Sequence, residues 1–188
     1  MIDFDRITLG IMAGGRATRL DGADKAMLEI AGETLLDRTL RAFPQNFSER
    51  LLSYNRGTDI GIDLELRLVA DLRPDFPGPL AALEALATAC RTPWLLTAPV
   101  DCRDIPKSLA NELINDLGRD GSMLRDADGV QPLLALWRID ALRPAVAAAF
   151  ENGELAVHSL VASLDLRIHD ISPRRLGNLN TPADFVTP

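Results

Sequence analysis

Basic residues, cysteine and histidine are all scarce in this chain, and each shortage removes a class of function. Lys and Arg number 20 against 27 Asp and Glu, leaving a formal net charge of −7 and an isoelectric point near 4.8. Affinity for duplexes rests chiefly on neutralising phosphates with Lys and Arg, so this balance argues against a nucleic-acid binder. Any anionic ligand must be held by local charge, by backbone N–H groups or by a metal ion. The only cysteines, Cys90 and Cys102, form no metal motif. A chain of 188 residues is also large enough not to need disulfide staples, so reduced thiols and a cytoplasmic setting are expected. His158 and His169 stand far apart with no carboxylate at ligand spacing, and no Ser-His-Asp order is evident. Both read as surface or satisfied polar groups. No apolar run approaches the roughly 18 residues of a membrane span, and the opening MIDFDRIT lacks the features of a secretory signal, so no membrane association is expected.

What is present is an ordinary globular balance, 47% hydrophobic and 25% charged, with no internal repeat or low-complexity linker. One domain over residues 1–188 is the expectation. Ile7 to Met12 reads as a buried strand, and Thr34 to Phe43 as a helix that Pro44 closes. Arg50 to Tyr54 and Leu64 to Ala70 read as two more strands. A helix opens at Pro79, in the favoured first-turn position, and runs through LAALEALATAC. Trp94 to Ala98 is a fourth buried strand and Pro106 to Leu117 a further helix. Ser122 to Arg125 and Pro132 to Trp137 read as short strands, Ala141 to Phe150 as a helix that Pro144 starts late, and LDLRIHDI as a strand. Thr181 to Asp184, TPAD, matches a helix N-terminus. The two tryptophans and the scattered Phe residues are expected in the core.

Strands alternating with helices imply a mainly parallel sheet between helical layers, and ligands of such sheets bind beyond the carboxyl ends of the strands. Four loops should therefore open on one edge: the glycine loop after the first strand, Ser53 to Gly57, Asp71 to Pro79, and Pro99 to Asp104.

In the first of these, MAGGRATRLDGADKAM, Gly14 and Gly15 let backbone N–H groups approach a phosphate, while Arg19 and Lys25 supply charge. The pattern is neither the P-loop nor the dinucleotide fingerprint, and a tight turn with solvated basic side chains would look the same. Asp24 and the apolar residues after Lys25 suggest a lysine held in place. Asp101 leaves an interior strand at the mouth of the site, where a carboxylate suits Mg²⁺ together with substrate phosphates, or else caps the next turn. Asp71 ends its strand in the same way and suits a ribose or base, with capping as the other reading. Asn178 and Asn180, two apart in GNLNTPAD, point to one side if extended, either to grip a polar ligand or as turn formers.

Taken in order, the glycine loop, Lys25, Asp71, FPGPLAALEA, PVDC, QPLLAL and NLNTP resemble the molybdenum cofactor guanylyltransferases, a branch of the nucleotidyltransferases, across nearly the whole chain. The resemblance implies a Rossmann-like three-layer α/β/α fold, and transfer of GMP from GTP to the terminal phosphate of molybdopterin with Mg²⁺ and loss of pyrophosphate. It places Met12, Ala13, Gly14 and Lys25 on GTP, Asn55 and Asp71 near base and ribose, Asp101 on the metal, and Asn178 and Asn180 on the pterin side. Gly15, Ser53 and Gly78 complete the nucleotide set, and Arg19 joins Lys25 and Asp101 in catalysis. A labile pterin product further suggests transient handover to other proteins of cofactor biosynthesis or molybdoenzyme maturation. Two departures stand out: RLDG at Arg19 to Gly22 where the family reads RMGG, and Ser53 where relatives carry asparagine. A cytidylyltransferase or other nucleotidyltransferase acting on a related phosphorylated acceptor, and a carrier that binds nucleotide or pterin without turnover, are the competing readings.

Overall fold

Ile7–Met12 is buried at every position, as a strand covered on both faces must be, and forms β1 near the centre of a seven-stranded sheet. A computed structural model of the chain describes residues 2–13, 24–55, 66–73, 78–179 and 184. Two short strands, β2 (Glu29–Ile30) and β3 (Glu33–Thr34), make a separate hairpin. The large sheet adds β4 (Glu49–Ser53), β5 (Arg67–Val69), β6 (Trp94–Pro99), β7 (Gly121–Asp126), β8 (Gly129–Arg138) and β9 (Leu166–Asp170), in the order β5-β4-β1-β6-β8-β7-β9. The first four in that order are parallel, β8 is antiparallel to both β6 and β7, and β9 is parallel to β7.

Register decides what this sheet can present. Met12 lies opposite both Ser53 and Pro99, and Ser53 lies opposite Val69. The carboxyl ends of β1, β4, β5 and β6 are therefore level.

Helices cover both faces because successive side chains of the central strands are apolar on both sides. Ile7, Leu9, Ile11, Leu52 and Leu96 pack beneath α1 (Leu35–Ala42) and α3 (Leu109–Asn115). Met12, Leu51, Leu95 and Trp137 face α2 (Pro79–Ala89), α4 (Ile139–Glu151) and α5 (Val157–Ala162). The result is the three-layer α/β/α sandwich with a mostly parallel sheet. Local chemistry explains the helix ends. Thr34 caps α1 by accepting from Asp37 N at 3.0 Å, and Arg143 of α4 donates to the Ala87 and Cys90 carbonyls at the end of α2, at 2.9 and 2.8 Å. Trp137 is fully buried, its indole N–H donating to Thr97 Oγ1 at 2.8 Å. Trp94 is half-buried against the α1 side.

Several elements differ from expectation. The strands expected at Ser122 to Arg125 and Pro132 to Trp137 are the arms of one longer hairpin, turned by Ala127 and Asp128, with Gly129 at φ 121° and Gly121 so close to β8 that a Cβ would lie 2.0 Å from the Leu136 carbonyl oxygen. Helix α4 starts at Ile139 and carries Pro144 inside it, not at its start. Ile139, Leu142, Val146 and Ala149 all face the core, and that burial outweighs the hydrogen bond that Pro144 forgoes. Helix α3 is shorter than Pro106 to Leu117, since only one turn, closed by Leu109 N on the Pro106 carbonyl, precedes it. Residues 64–65 of the third expected strand, and the expected TPAD helix apart from Asp184, lie outside the described residues. Among the described residues, no helix is long and apolar enough to cross a membrane.

Candidate active site

Lys25 opens a single 3₁₀ turn, Lys25–Met27, whose conformation is set by its neighbours. The Asp24 carboxylate accepts from Ala26 N at 3.1 Å and, through its other oxygen, from the Tyr54 hydroxyl at the end of β4. Ala26 is fully buried, so the turn is pinned from below as well as from the side. Its lysine ammonium reaches across to Asp101, just beyond β6, and Nζ stands 2.6 Å from Oδ2. Both side chains are about one-fifth exposed, at 20% and 23%. Val100 N donates to the Met12 carbonyl at 3.1 Å, which extends the β1–β6 ladder to the residue before Asp101. Three chain segments thus bring one cation and one anion to the level edge of the sheet. Partial burial strengthens such a charge-assisted bond over its exposed counterpart.

Next to this pair, Asn55 and Asp71 bind each other twice. Asn55 Nδ2 donates to Asp71 Oδ2 at 3.0 Å, and Asp71 N donates to Asn55 Oδ1 at 2.8 Å. Burial raises the Asp71 carboxyl above the ordinary aspartate value and the charge of Glu84 adds to the rise. Asn55 acts the other way, as does the Ser53 hydroxyl, which lies nearby without a hydrogen bond of normal geometry. Ser53 is fully buried, and both its hydroxyl and Asp71 Oδ1 are without a hydrogen-bond partner. Gly78 precedes α2 at φ 84° and ψ −154°, a backbone conformation that a side chain would strain.

The third part of the site comes from the far end of the chain. Residues 176–179 run antiparallel to 101–104. Leu179 N donates to the Asp101 carbonyl at 2.8 Å, Arg103 N to Gly177 at 3.0 Å and Asp104 N to Leu176 at 3.2 Å. Leu176 and Leu179 are buried and Asn178 between them is exposed, so this strap presents Asn178 beside the Asp101 loop. Cys102 Sγ lies 3.7 Å from Asn178 Oδ1. Burial first, then the charges of Asp101 and Asp126, push the Cys102 thiol well up against a smaller opposing pull from Lys25, which favours the protonated thiol.

Of the residues expected here, Lys25 and Asp101 meet directly, and Asn55, Asp71 and Ser53 form the adjoining cluster. Met12 and Ala13 end β1 as buried side chains, so only their backbone faces the edge. Gly14, Gly15, Arg19 and Asn180 lie outside the described residues, as does Asp21. His158 is exposed, while His169 has the carboxylates its sequence neighbourhood does not provide: Glu112 on α3 and Asp116 at its C-terminal end lie 3.3 and 3.5 Å from its ring nitrogens. The sequence does not single out Tyr54 or Asp126, which bond the Lys25 turn and the 176–179 strap. Nothing in RDADG marks Asp126 as buried.

Among the described residues, no group of three or more His, Cys, Asp or Glu is arranged to hold a metal ion. Asp101 alone, half-buried and carboxylate-bearing, suits an ion such as Mg²⁺ that takes one or two protein oxygens and completes its shell from phosphates and water.

The MobA-like NTP transferase domain matches residues 9–168. The chain belongs to that family. A molybdenum cofactor guanylyltransferase of Burkholderia ambifaria is 37% identical over 168 residues, covering 83% of this chain and 82% of its own. One of Pseudomonas fluorescens is 35% identical over 178 residues, 92% of this chain and 88% of its own. Two solved structures share the MobA-like fold at lower identity. Molybdopterin-guanine dinucleotide biosynthesis protein A of Archaeoglobus fulgidus superposes with a TM-score of 0.69 at 18% identity, covering 95% of this chain and 94% of its own. The 2-C-methyl-D-erythritol 4-phosphate cytidylyltransferase of Thermus thermophilus does so at 0.68 and 18%, covering 94% of each.

Proposed function

We propose that this MobA-like protein transfers GMP from GTP to the terminal phosphate of molybdopterin and releases pyrophosphate, in the cytoplasm and within one domain. The observation that carries the reading is the Lys25–Asp101 pair, 2.6 Å apart at the carboxyl edge of the parallel strands. An acceptor phosphate oxygen attacks the α-phosphorus of GTP, a new phosphorus–oxygen bond forms, and the bond to the bridging β-phosphate oxygen breaks. The electron pair leaves with pyrophosphate. Chemistry of this kind asks for positioning and charge stabilisation more than for covalent work by the protein.

Each residue has a part in that. The Lys25 ammonium, with Arg19, faces the negative charge that builds on the phosphates. Backbone groups of Met12, Ala13, Gly14 and Gly15 line the triphosphate. The half-buried Asn55–Asp71 pair takes the nucleoside, backed by the buried Ser53, with Gly78 leaving room for the backbone beside it. Asn178 and Asn180 hold the acceptor. Asp101 would hold Mg²⁺, which when bound supplies Lewis-acid stabilisation of the phosphate charge.

The experiment is pyrophosphate release from GTP, CTP and ATP in turn, each with Mg²⁺ and molybdopterin. GTP is expected to support turnover and the others to lag. Preference for CTP would turn the reading to a cytidylyltransferase, and tight GTP binding without pyrophosphate would turn it to a carrier.

A further inference from the structure

Asp126 is the only charged side chain among the described residues that is fully buried, 2% exposed. Desolvating a carboxylate costs several kcal/mol unless its oxygens are bonded. They are: Asp128 N donates to Oδ1 at 2.9 Å, Gln131 Nε2 to Oδ1 at 3.0 Å, and Leu176 N to Oδ2 at 3.0 Å. The first two stay within the β7–β8 hairpin. A turn of this kind is served equally well by a neutral Asn or Ser, so the hairpin does not explain the charge. The third bond spans fifty residues to the start of the strap, and Ala127 N on the Arg174 carbonyl, 2.9 Å, fastens the same place again. From Leu176 the strap runs on to Leu179, which donates to the Asp101 carbonyl.

We propose that Asp126 is a positioning residue for the acceptor: its carboxylate fixes Leu176–Leu179, and with it Asn178, in register with the loop that carries Asp101. The proposal rests on the reading of Asn178 as an acceptor residue. Asp126 touches no substrate. Its effect passes through one backbone N–H, and the buried carboxylate is used because an anion accepts from that N–H more strongly than a neutral side chain does.

The test compares Asp126→Asn, Asn178→Ala and the unaltered protein for GTP affinity by calorimetry and for kcat and acceptor KM by pyrophosphate release. Asp126→Asn is expected to raise acceptor KM by about tenfold, the effect of losing one hydrogen bond to a charged group, while GTP affinity and kcat stay within about twofold. Amide exchange at Leu176 should quicken in the same variant. A rise for Asn178→Ala with an unchanged acceptor KM for Asp126→Asn overturns the positioning role and leaves the acceptor reading standing. An unchanged KM for Asn178→Ala overturns the acceptor reading and this role with it. A common fall in kcat and GTP affinity with unchanged acceptor KM marks Asp126 as merely structural. Where Asp126→Asn does not fold, Asp126→Ser is measured instead. It keeps a turn-forming side chain but removes the oxygen that accepts from Leu176 N, and a rise in acceptor KM of about tenfold is expected, with no change overturning the proposal.

Discussion

The two sides of β6 build their share of the site in different ways. On one side, β1, β4 and β5 are parallel to it and end level, so the segments that follow them meet at one edge: Lys25 from the connection after β1, Tyr54 and Asn55 after β4, Asp71 after β5. On the other side β8 runs antiparallel, and the hairpin it forms with β7 brings its turn, Asp126–Gly129, toward the same side without itself supplying a residue proposed to touch substrate. What reaches the site from there is a strap, held by backbone hydrogen bonds to residues 101–104 and by one buried carboxylate. The parallel half brings its donors to one edge by topology and then fixes them with side-chain bonds such as Tyr54 to Asp24 and Asn55 to Asp71. The mixed half places Asn178 through the strap's long-range bonds to residues 101–104 and to Asp126.

The sharpest way to break this contrast is Lys25→Ala, in the parallel half. It should lower kcat/KM for nucleotidyl transfer by about 10² to 10³, roughly 3 to 4 kcal/mol of barrier stabilisation, read from pyrophosphate release. Near-normal turnover would remove the lysine from the chemistry.

A smaller effect separates binding from stability. Asp71→Asn should weaken GTP binding by about tenfold in calorimetry, with the urea midpoint at pH 7 unchanged or higher. The sign follows from the raised carboxyl value. The folded state holds the proton more tightly than the unfolded one, so Asp71 costs stability above its folded value, and the cost disappears as pH falls below the ordinary aspartate value. Asp71→Asn should therefore flatten that part of the stability–pH curve. A large fall in urea midpoint would show that the charge supports the fold instead.

Smaller again is Tyr54→Phe, which removes the hydroxyl from Asp24 while keeping the ring. The Lys25 turn loosens and kcat/KM should fall about fivefold, near 1 kcal/mol. The least effect is expected at the boundary between the halves. Cys102, buried and protonated, should resist alkylation at pH 8 in the folded protein while being labelled fully in urea, as mass spectrometry would show.

The same contrast explains what was legible in the residues. The strand ends at Met12, Ser53, Asp71 and Asp101 can be found from apolar runs and from the rule that ligands sit beyond the carboxyl ends, and so the shared edge of Lys25 and Asp101 is readable without coordinates. The strap is not, because nothing local in RRLGNLN names Asp101–Asp104 as its partner, 76 residues from Asn178 in the case of Cys102. RDADG reads as a polar turn, and only the approach of Leu176 makes its first aspartate a buried ion. Pro144 misleads for a related reason: a local helix breaker is overruled by four core-facing side chains.

The pairing of Lys25 with Asp101 is the claim on which the rest depends, and a double-mutant cycle addresses it most directly. Lys25→Ala, Asp101→Asn and the double variant are compared for kcat/KM in pyrophosphate release from GTP. Two groups serving one phosphate site should give a double variant little worse than the weaker single. Fully additive losses, or single variants with near-normal turnover, would mean that the two side chains meet at 2.6 Å without sharing a task.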